Sequence, residues 1–177
     1  MREPILYLVR HGETAWHREG RIQGHLDAPL TERGIAQARH AGLVLRELLD
    51  RPAPWVLRFS PLGRTRHTTA IIAALIEEKL AAQHADERLK EVSWGVWQGL
   101  TRSEIARCEP AAWQRREADP WRFTPPDGES HAMPAARAAA WLESVADEPR
   151  LVVVGHGAWS RALRGAYLDL SIEQAMA

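Results

Sequence analysis

The 177-residue chain is short of several things, and each shortage excludes a class of protein. Cys108 is its one cysteine, so neither an internal disulfide nor a cysteine-rich zinc site can form. No charge of one sign dominates: 23 basic residues face 23 acidic ones. That removes the basic footprint of a nucleic-acid binder and the acidic tail of a solvating segment. Lysine is nearly missing, with Lys79 and Lys90 alone, and arginine carries the positive charge. Such a bias follows from a GC-rich genome as readily as from anion binding. Long hydrophobic runs are absent too. The opening "MREPILYLVRHG" holds about five consecutive apolar residues before Arg10, too few for a signal-peptide core or a membrane span. A cytoplasmic location without nucleic-acid or membrane partners is expected.

What is present suits a single domain over residues 1–177, since chains of this length bury roughly 70% of their unfolded surface. Ile5 to Val9 reads as a short strand, apolar on both parities and so buried on both faces; Trp55 to Phe59, weakened by Arg58, and Leu151 to Val154, the cleanest, read as two more. Helical patterns lie between them. Thr31 caps "ERGIAQARHAGLVLRELLD", with Glu32 favourable in the first turn. "RTRHTTAIIAALIEEKLAA" reads as one helix, and "MPAARAAAWLESVA" and "WSRALRGAYLDL" as two more. Alternating strands and helices predict an α/β domain with a mostly parallel sheet, whose ligands collect beyond the carboxyl ends of the strands. The stretch 116–134, "READPWRFTPPDGESHAMP", is rich in proline and turn residues. It reads as an excursion over the sheet edge or a lid.

Both His-Gly pairs, His11-Gly12 and His156-Gly157, sit at such strand ends, and "SPLGR" with Arg64 follows a third. A lone His-Gly is ordinarily a turn. If Arg10, His11, Arg64 and His156 share one crevice, however, two guanidiniums and two imidazoles are costly together unless an anion joins them. A phosphoryl group fits, because arginine binds phosphate through paired donors. A helix starting after His156 would add backbone amides. A neutral imidazole is also a competent nucleophile at phosphorus. A leaving alkoxide needs an acid, and Glu91 in "RLKEVSWGVWQG" lies in a partly apolar setting that suits one, although such a glutamate by itself is ordinarily a solvated surface carboxylate. His17, His25, His40, His67, His84 and His131 show no metal-ligand spacing, and no metal or cofactor is expected.

The ordered set "LVRHGETAW", "GRIQGHLDAPLTERGIAQA", "SPLGRTRHTTA", "LKEVSWGVWQG", "DGES" and "VVVGHGAWSRAL" resembles the histidine phosphatase superfamily, also called phosphoglycerate mutase-like, over nearly the whole chain. The resemblance implies a three-layer α/β/α sandwich. It implies His11 as phosphorylated nucleophile and Glu91 as proton donor, with His156, Arg10 and Arg64 around the phosphate. Gln23 and Gly24 match positions near the substrate, with Thr14 a neighbour. His17 stands where the family usually has an asparagine that helps line the phosphate pocket. Gly155, Ala158 and Trp159 flank the second His-Gly where the family commonly has a hydroxyl residue before and a glycine after. Pro61 replaces a frequent acidic residue.

The implied activity is that of a metal-independent phosphoric monoester hydrolase, of the histidine acid phosphatase type, working on a small phosphorylated metabolite. "KEVSWGVWQG" looks like the phosphatase branch rather than the mutase's "ERHYG". The alternatives are a cofactor-dependent phosphoglycerate mutase and a catalytically silent phosphate- or partner-binding relative. A homodimer is compatible with the sequence. Trp94, Trp97 and Trp121 are candidates for an aromatic wall beside Glu91, against the commoner reading of tryptophan as packing.

Overall fold

The structure, a computed structural model, describes residues 5–49, 55–77 and 80–176. Strand β1 (Ile5–Arg10) is followed by the short helix α1 (Ala15–Glu19) and by α2 (Glu32–Leu48). Then come β2 (Trp55–Phe59), α3 (Gly63–Ile76) and β3 (Leu80–Ala85). Two 3₁₀ turns, Glu87–Leu89 and Gly95–Trp97, lead to α4 (Arg102–Cys108), α5 (Pro110–Ala118) and α6 (Ala132–Ser144). Strand β4 (Arg150–Gly155), α7 (Gly157–Tyr167) and α8 (Ile172–Met176) complete the described residues.

Thr31 caps α2 as its sequence predicts, accepting from the Gly34 amide. The helix expected over "RTRHTTAIIAALIEEKLAA" is shorter than its composition suggests. It ends at Ile76, and Leu80–Ala85 pairs in parallel with β2. "LAAQHA" has helix-forming residues and little β-branching, so local preference is overridden by tertiary pairing at the sheet edge. Arg58, the charged residue inside β2, is accommodated by an ion pair with Glu148, just before β4.

The four strands are all parallel, in the order β1-β4-β2-β3. One face is covered by α2 and α3, where Leu45, Leu49, Ile72 and Ile76 pack on Trp55, Leu57, Val152 and Val154. The other is covered by α6 and α7, where Ala138, Trp141, Trp159 and Leu163 pack on Leu151 and Val153. Leu151 to Val154 are all fully buried and need no alternation of apolar and polar side chains, because a parallel strand between two helical layers has no solvent face. The result is a three-layer α/β/α sandwich. No helix among the described residues is long and apolar enough to cross a membrane.

Candidate functional site

The carboxyl ends of β1, β2 and β4 lie side by side, so Arg10-His11, Ser60 and His156 emerge at one edge of the sheet. His11 leaves β1 into a tight backbone crossing. A Cβ on Gly12 would lie 2.2 Å from the Gly34 carbonyl oxygen, so these two glycines let the loop and α2 touch. The Gly12 amide donates to Thr68 Oγ1 at 3.1 Å. The imidazole of His11 is fixed at both nitrogens. Nδ1 lies 2.8 Å from the Gly12 carbonyl, which can only accept, so Nδ1 carries the proton. Nε2 accepts from Arg64 Nε at 3.2 Å and therefore keeps its lone pair. Burial, and then the Arg64 guanidinium, lower the His11 pKa from 6.5 to about 3, so the ring is neutral near pH 7.

His17 stacks on His11, with ring centroids 5.2 Å apart and planes within 7°. It is the third residue of α1 and closes a capping box with Thr14: its amide donates to Thr14 Oγ1, and its Nδ1 accepts from the Thr14 amide at 3.2 Å. In the neutral ring this places the proton on Nε2. Arg10 Nη2 lies 3.4 Å from that same Nε2. Two N–H groups cannot satisfy each other, so Arg10 and His17 are a pair of donors side by side, suited to one anionic oxygen between them. Burial and the Arg10 charge lower the His17 pKa.

Arg64, on the first turn of α3, is 2% exposed. It holds Leu26 O (2.8 Å), Gly24 O (2.7 Å) and Asp27 (2.9 Å) while also reaching His11. Burial lowers its pKa and Asp27 opposes that shift. Gly24, at φ 55°, sits in the left-handed region that disfavours a side chain, and a Cβ there would meet Gln98 Oε1 at 2.2 Å and displace that side chain. Gln23 is buried, and its Oε1 has no hydrogen-bond partner.

Glu91 departs from the apolar setting the sequence suggests. Its Oε1 accepts from the amides of Val92 and Trp159, and its Oε2 from Ala158. The carboxylate thus caps the N-terminus of α7, where amides and the helix dipole favour an anion. His156 is fully buried, its ring edge-on to His11 with centroids 5.2 Å apart. Burial, and then Arg64, hold its pKa well below the usual histidine value.

A pocket of about 230 Å³ joins these groups, bordered by Arg10, His11, His17, Gln23, Gly24, Arg64 and Glu91. His156 lies behind it, against His11. Thr14 is fully buried and acts on the pocket through His17. Larger grooves exist between β1 and α7 and between α2 and α3, but they are mostly apolar and lack this chemistry. Arg21, Ile22, Trp94 and Arg102 also border the 230 Å³ pocket; of these only Trp94 stands out in the sequence. Arg21 is paired with Glu19 and Glu104, whereas Arg102, at the start of α4, is exposed. The sequence signal for Arg102 is its place just after the helix cap Thr101, close in sequence to Glu91. Of the three tryptophans, Trp97 is fully buried in an aromatic stack with Phe123, and Trp121 does not border the pocket. Packing accounts for Trp97.

The 116–134 stretch is fastened to the Glu91 loop. Glu129 donates its amide to Ser93 O and accepts the Ser93 amide, and its carboxylate pairs with Arg137. Among the described residues no group of three or more histidines, cysteines or carboxylates is arranged to hold a metal ion.

An α/β/α sandwich with paired arginines and imidazoles at its strand ends defines a class of protein, and the comparison with known families agrees. The chain belongs to the histidine phosphatase superfamily, branch 1, whose family model matches residues 6–177. Among its relatives, "Phosphoserine phosphatase 1" of Hydrogenobacter thermophilus is 34% identical over 172 residues, covering 96% of this chain and 78% of that protein. "Probable phosphoglycerate mutase GpmB" of Photorhabdus laumondii is 36% identical over 172 residues, covering 93% and 75%. The solved structure of mycobacterial glucosyl-3-phosphoglycerate phosphatase in complex with VO3 superposes with a TM-score of 0.81 at 30% identity, covering 95% of this chain and 82% of that one.

Proposed function

We propose that the chain is a phosphomonoesterase that works through a phosphohistidine on His11. The observation that carries this reading is the fixed state of His11: a neutral ring, its proton held on Nδ1 by the Gly12 carbonyl, with the Nε2 lone pair facing arginine. In this reading Nε2 attacks phosphorus and the bond from phosphorus to the ester oxygen breaks. The leaving oxygen takes its proton from Glu91, whose carboxyl must first be protonated against the three amides it accepts. Water then attacks the phosphohistidine, the carboxylate of Glu91 takes its proton, and inorganic phosphate leaves with His11 restored. Arg10, Arg64, His17 and His156 hold the phosphoryl oxygens, with Gln23 and Gly24 shaping the wall beside them. No step in this sequence calls for a metal. The excursion at 116–134 braces the loop that carries Glu91 and Trp94, a reading supported by the bonds of Glu129 to Ser93 and to Arg137, which in turn reaches the Lys90 and Glu91 carbonyls.

The substrate class we infer is a small phosphomonoester with a second negative group. Arg102, exposed at the pocket border next to Trp94, supports it. So do the names of the relatives, since phosphoserine, phosphoglycerate and glucosyl-3-phosphoglycerate each carry a carboxylate near the phosphate.

The test is phosphate release from p-nitrophenyl phosphate, phosphoserine and 3-phosphoglycerate in EDTA, beside His11→Ala. Turnover that persists in EDTA and falls by several powers of ten in the variant is expected. Loss of turnover with EDTA overturns the mechanism. Phosphoryl transfer between positions of 3-phosphoglycerate, with no phosphate released, makes the chain a mutase instead. Phosphate binding without turnover makes it a silent binder.

A further inference from the structure

His11 and His17 have opposite tautomers because a carbonyl faces one Nδ1 and an amide faces the other. The third imidazole, His156, has a different kind of partner. Its Nε2 lies 2.7 Å from Ser60 Oγ, both groups being fully buried. Its Nδ1 is buried and has no hydrogen-bond partner. A hydroxyl can give or accept, so this pair does not by itself fix the proton.

The neighbouring hydrogen bonds do. Ser60 follows β2, with its amide bonded to Val154 O and its carbonyl accepting from Thr65. The Ser60 hydroxyl oxygen also accepts, at 3.4 Å, from the Leu62 amide, which is a donor. That leaves His156 Nε2 as the acceptor for the hydroxyl hydrogen. With the imidazole proton on Nε2, both the Ser60 hydrogen and the Nδ1 lone pair would be stranded in the interior. With the hydroxyl donating to Nε2, only the Nδ1 proton is left over. A stranded buried group costs about 1–3 kcal/mol, so the arrangement with one wins.

We propose that Ser60 is a positioning residue: its hydroxyl donates to His156 Nε2 and holds the ring's proton on Nδ1, as a donor reserved for the phosphoryl group on His11. This rests on the phosphohistidine reading above. The two rings are edge-on at 5.2 Å, close enough for a phosphoryl group on one to meet a donor on the other. No charge need be created, since the depressed pKa of His156 keeps the ring neutral. The unpaired Nδ1 proton then has a purpose: it is satisfied only when phosphate is bound.

The experiment uses the full chain labelled with ¹⁵N, whose imidazole signals report the proton on each ring nitrogen. His156 is assigned by the signals lost in His156→Asn. At pH 7.5 the wild type is expected to show a protonated Nδ1 and an unprotonated Nε2, and the Nδ1 signal moves on saturation with inorganic phosphate. In Ser60→Ala the proton shifts toward Nε2, and kcat on p-nitrophenyl phosphate falls about 10²-fold, the scale of one lost transition-state donor. Ser60→Cys, whose thiol is a weak donor, falls between the two. A His156 proton on Nε2 in the wild type overturns the proposal, as does a Ser60→Ala kcat within twofold of wild type. If the chain has no turnover at all, the phosphatase reading fails separately, and an Nδ1 signal indifferent to saturating phosphate then overturns the role of Ser60.

Discussion

At the scale of residues, function in this site depends on which nitrogen of each ring holds a proton. His17 does two jobs, accepting the Thr14 amide at Nδ1 and offering Nε2–H beside Arg10. Glutamine and glutamate separate them, since either closes a capping box at the third helical position. His17→Gln retains an amide donor, and His17→Glu brings a carboxylate to the phosphate seat. The expected result is near-native melting for both. Affinity for inorganic phosphate is retained within a few-fold in His17→Gln and lost by at least about tenfold in His17→Glu, as read by competitive inhibition. Arg10, His11 and His156 are legible because two His-Gly pairs end apolar strands, and Arg64 because "SPLGR" follows another, patterns visible in one dimension. The capping box is not, since a histidine in the glutamate position does not announce itself. Nor is the contact between Ser60 and His156, which are 96 residues apart.

At the scale of elements, glycine contacts set the spacing between the 116–134 excursion and the loop that carries Glu91 and Trp94. Gly95 opens the 3₁₀ turn after Glu91 at φ 53°, and a Cβ there would lie 1.9 Å from the Pro126 oxygen. Gly95→Ala therefore strains its own backbone and pushes away the Pro126–Gly128 corner. A loss of about 2–4 kcal/mol in chemical denaturation is expected. A rise in KM with kcat less affected is expected as well, since Arg10, His11 and Arg64 are anchored elsewhere. An unchanged KM would mean that the loop bearing Trp94 does not touch substrate. Strands β1, β2 and β4 are readable as apolar runs, but the expected burial on both faces fails for β1, which lies at the sheet edge with Ile5 50% and Leu8 39% exposed. β3 is not readable, because "LAAQHA" becomes a strand only through its pairing with β2. The setting of Glu91 was misread for a similar reason: the amides it accepts belong mainly to α7, 67 and 68 residues further along the chain.

For the whole molecule, four histidines held wholly or partly out of water, His11, His17, His131 and His156, give stability a defined pH dependence. His11 is lowered to about 3 and His131 to about 4, by burial first and nearby arginines second, and His156 lies well below its usual value. In the unfolded chain each titrates near 6.5. Below that pH the unfolded state binds protons that the folded state refuses, so stability falls as pH drops from about 6.5 toward 4. The melting temperature is expected to be highest at or above pH 7 and to decline toward pH 4. His131→Phe removes one of these groups away from the phosphate pocket, so its decline is shallower than that of the wild type. Equal slopes for the two proteins would show that His131 does not contribute to the acid sensitivity.

The strand order carries a further consequence, one that concerns synthesis. Strand β1 bears His11 and pairs with β4 alone among the described strands, Ile5 with Arg150 through Arg10 with Gly155. The ribosome delivers these two partners 145 residues apart. For most of translation, then, His11, both arginines and Glu91 exist on a chain that cannot yet bring them together. The arrangement is complete only once β4 has emerged and paired with β1 and β2. On the function proposed above, a nascent or prematurely stopped chain is accordingly inert toward phosphate esters.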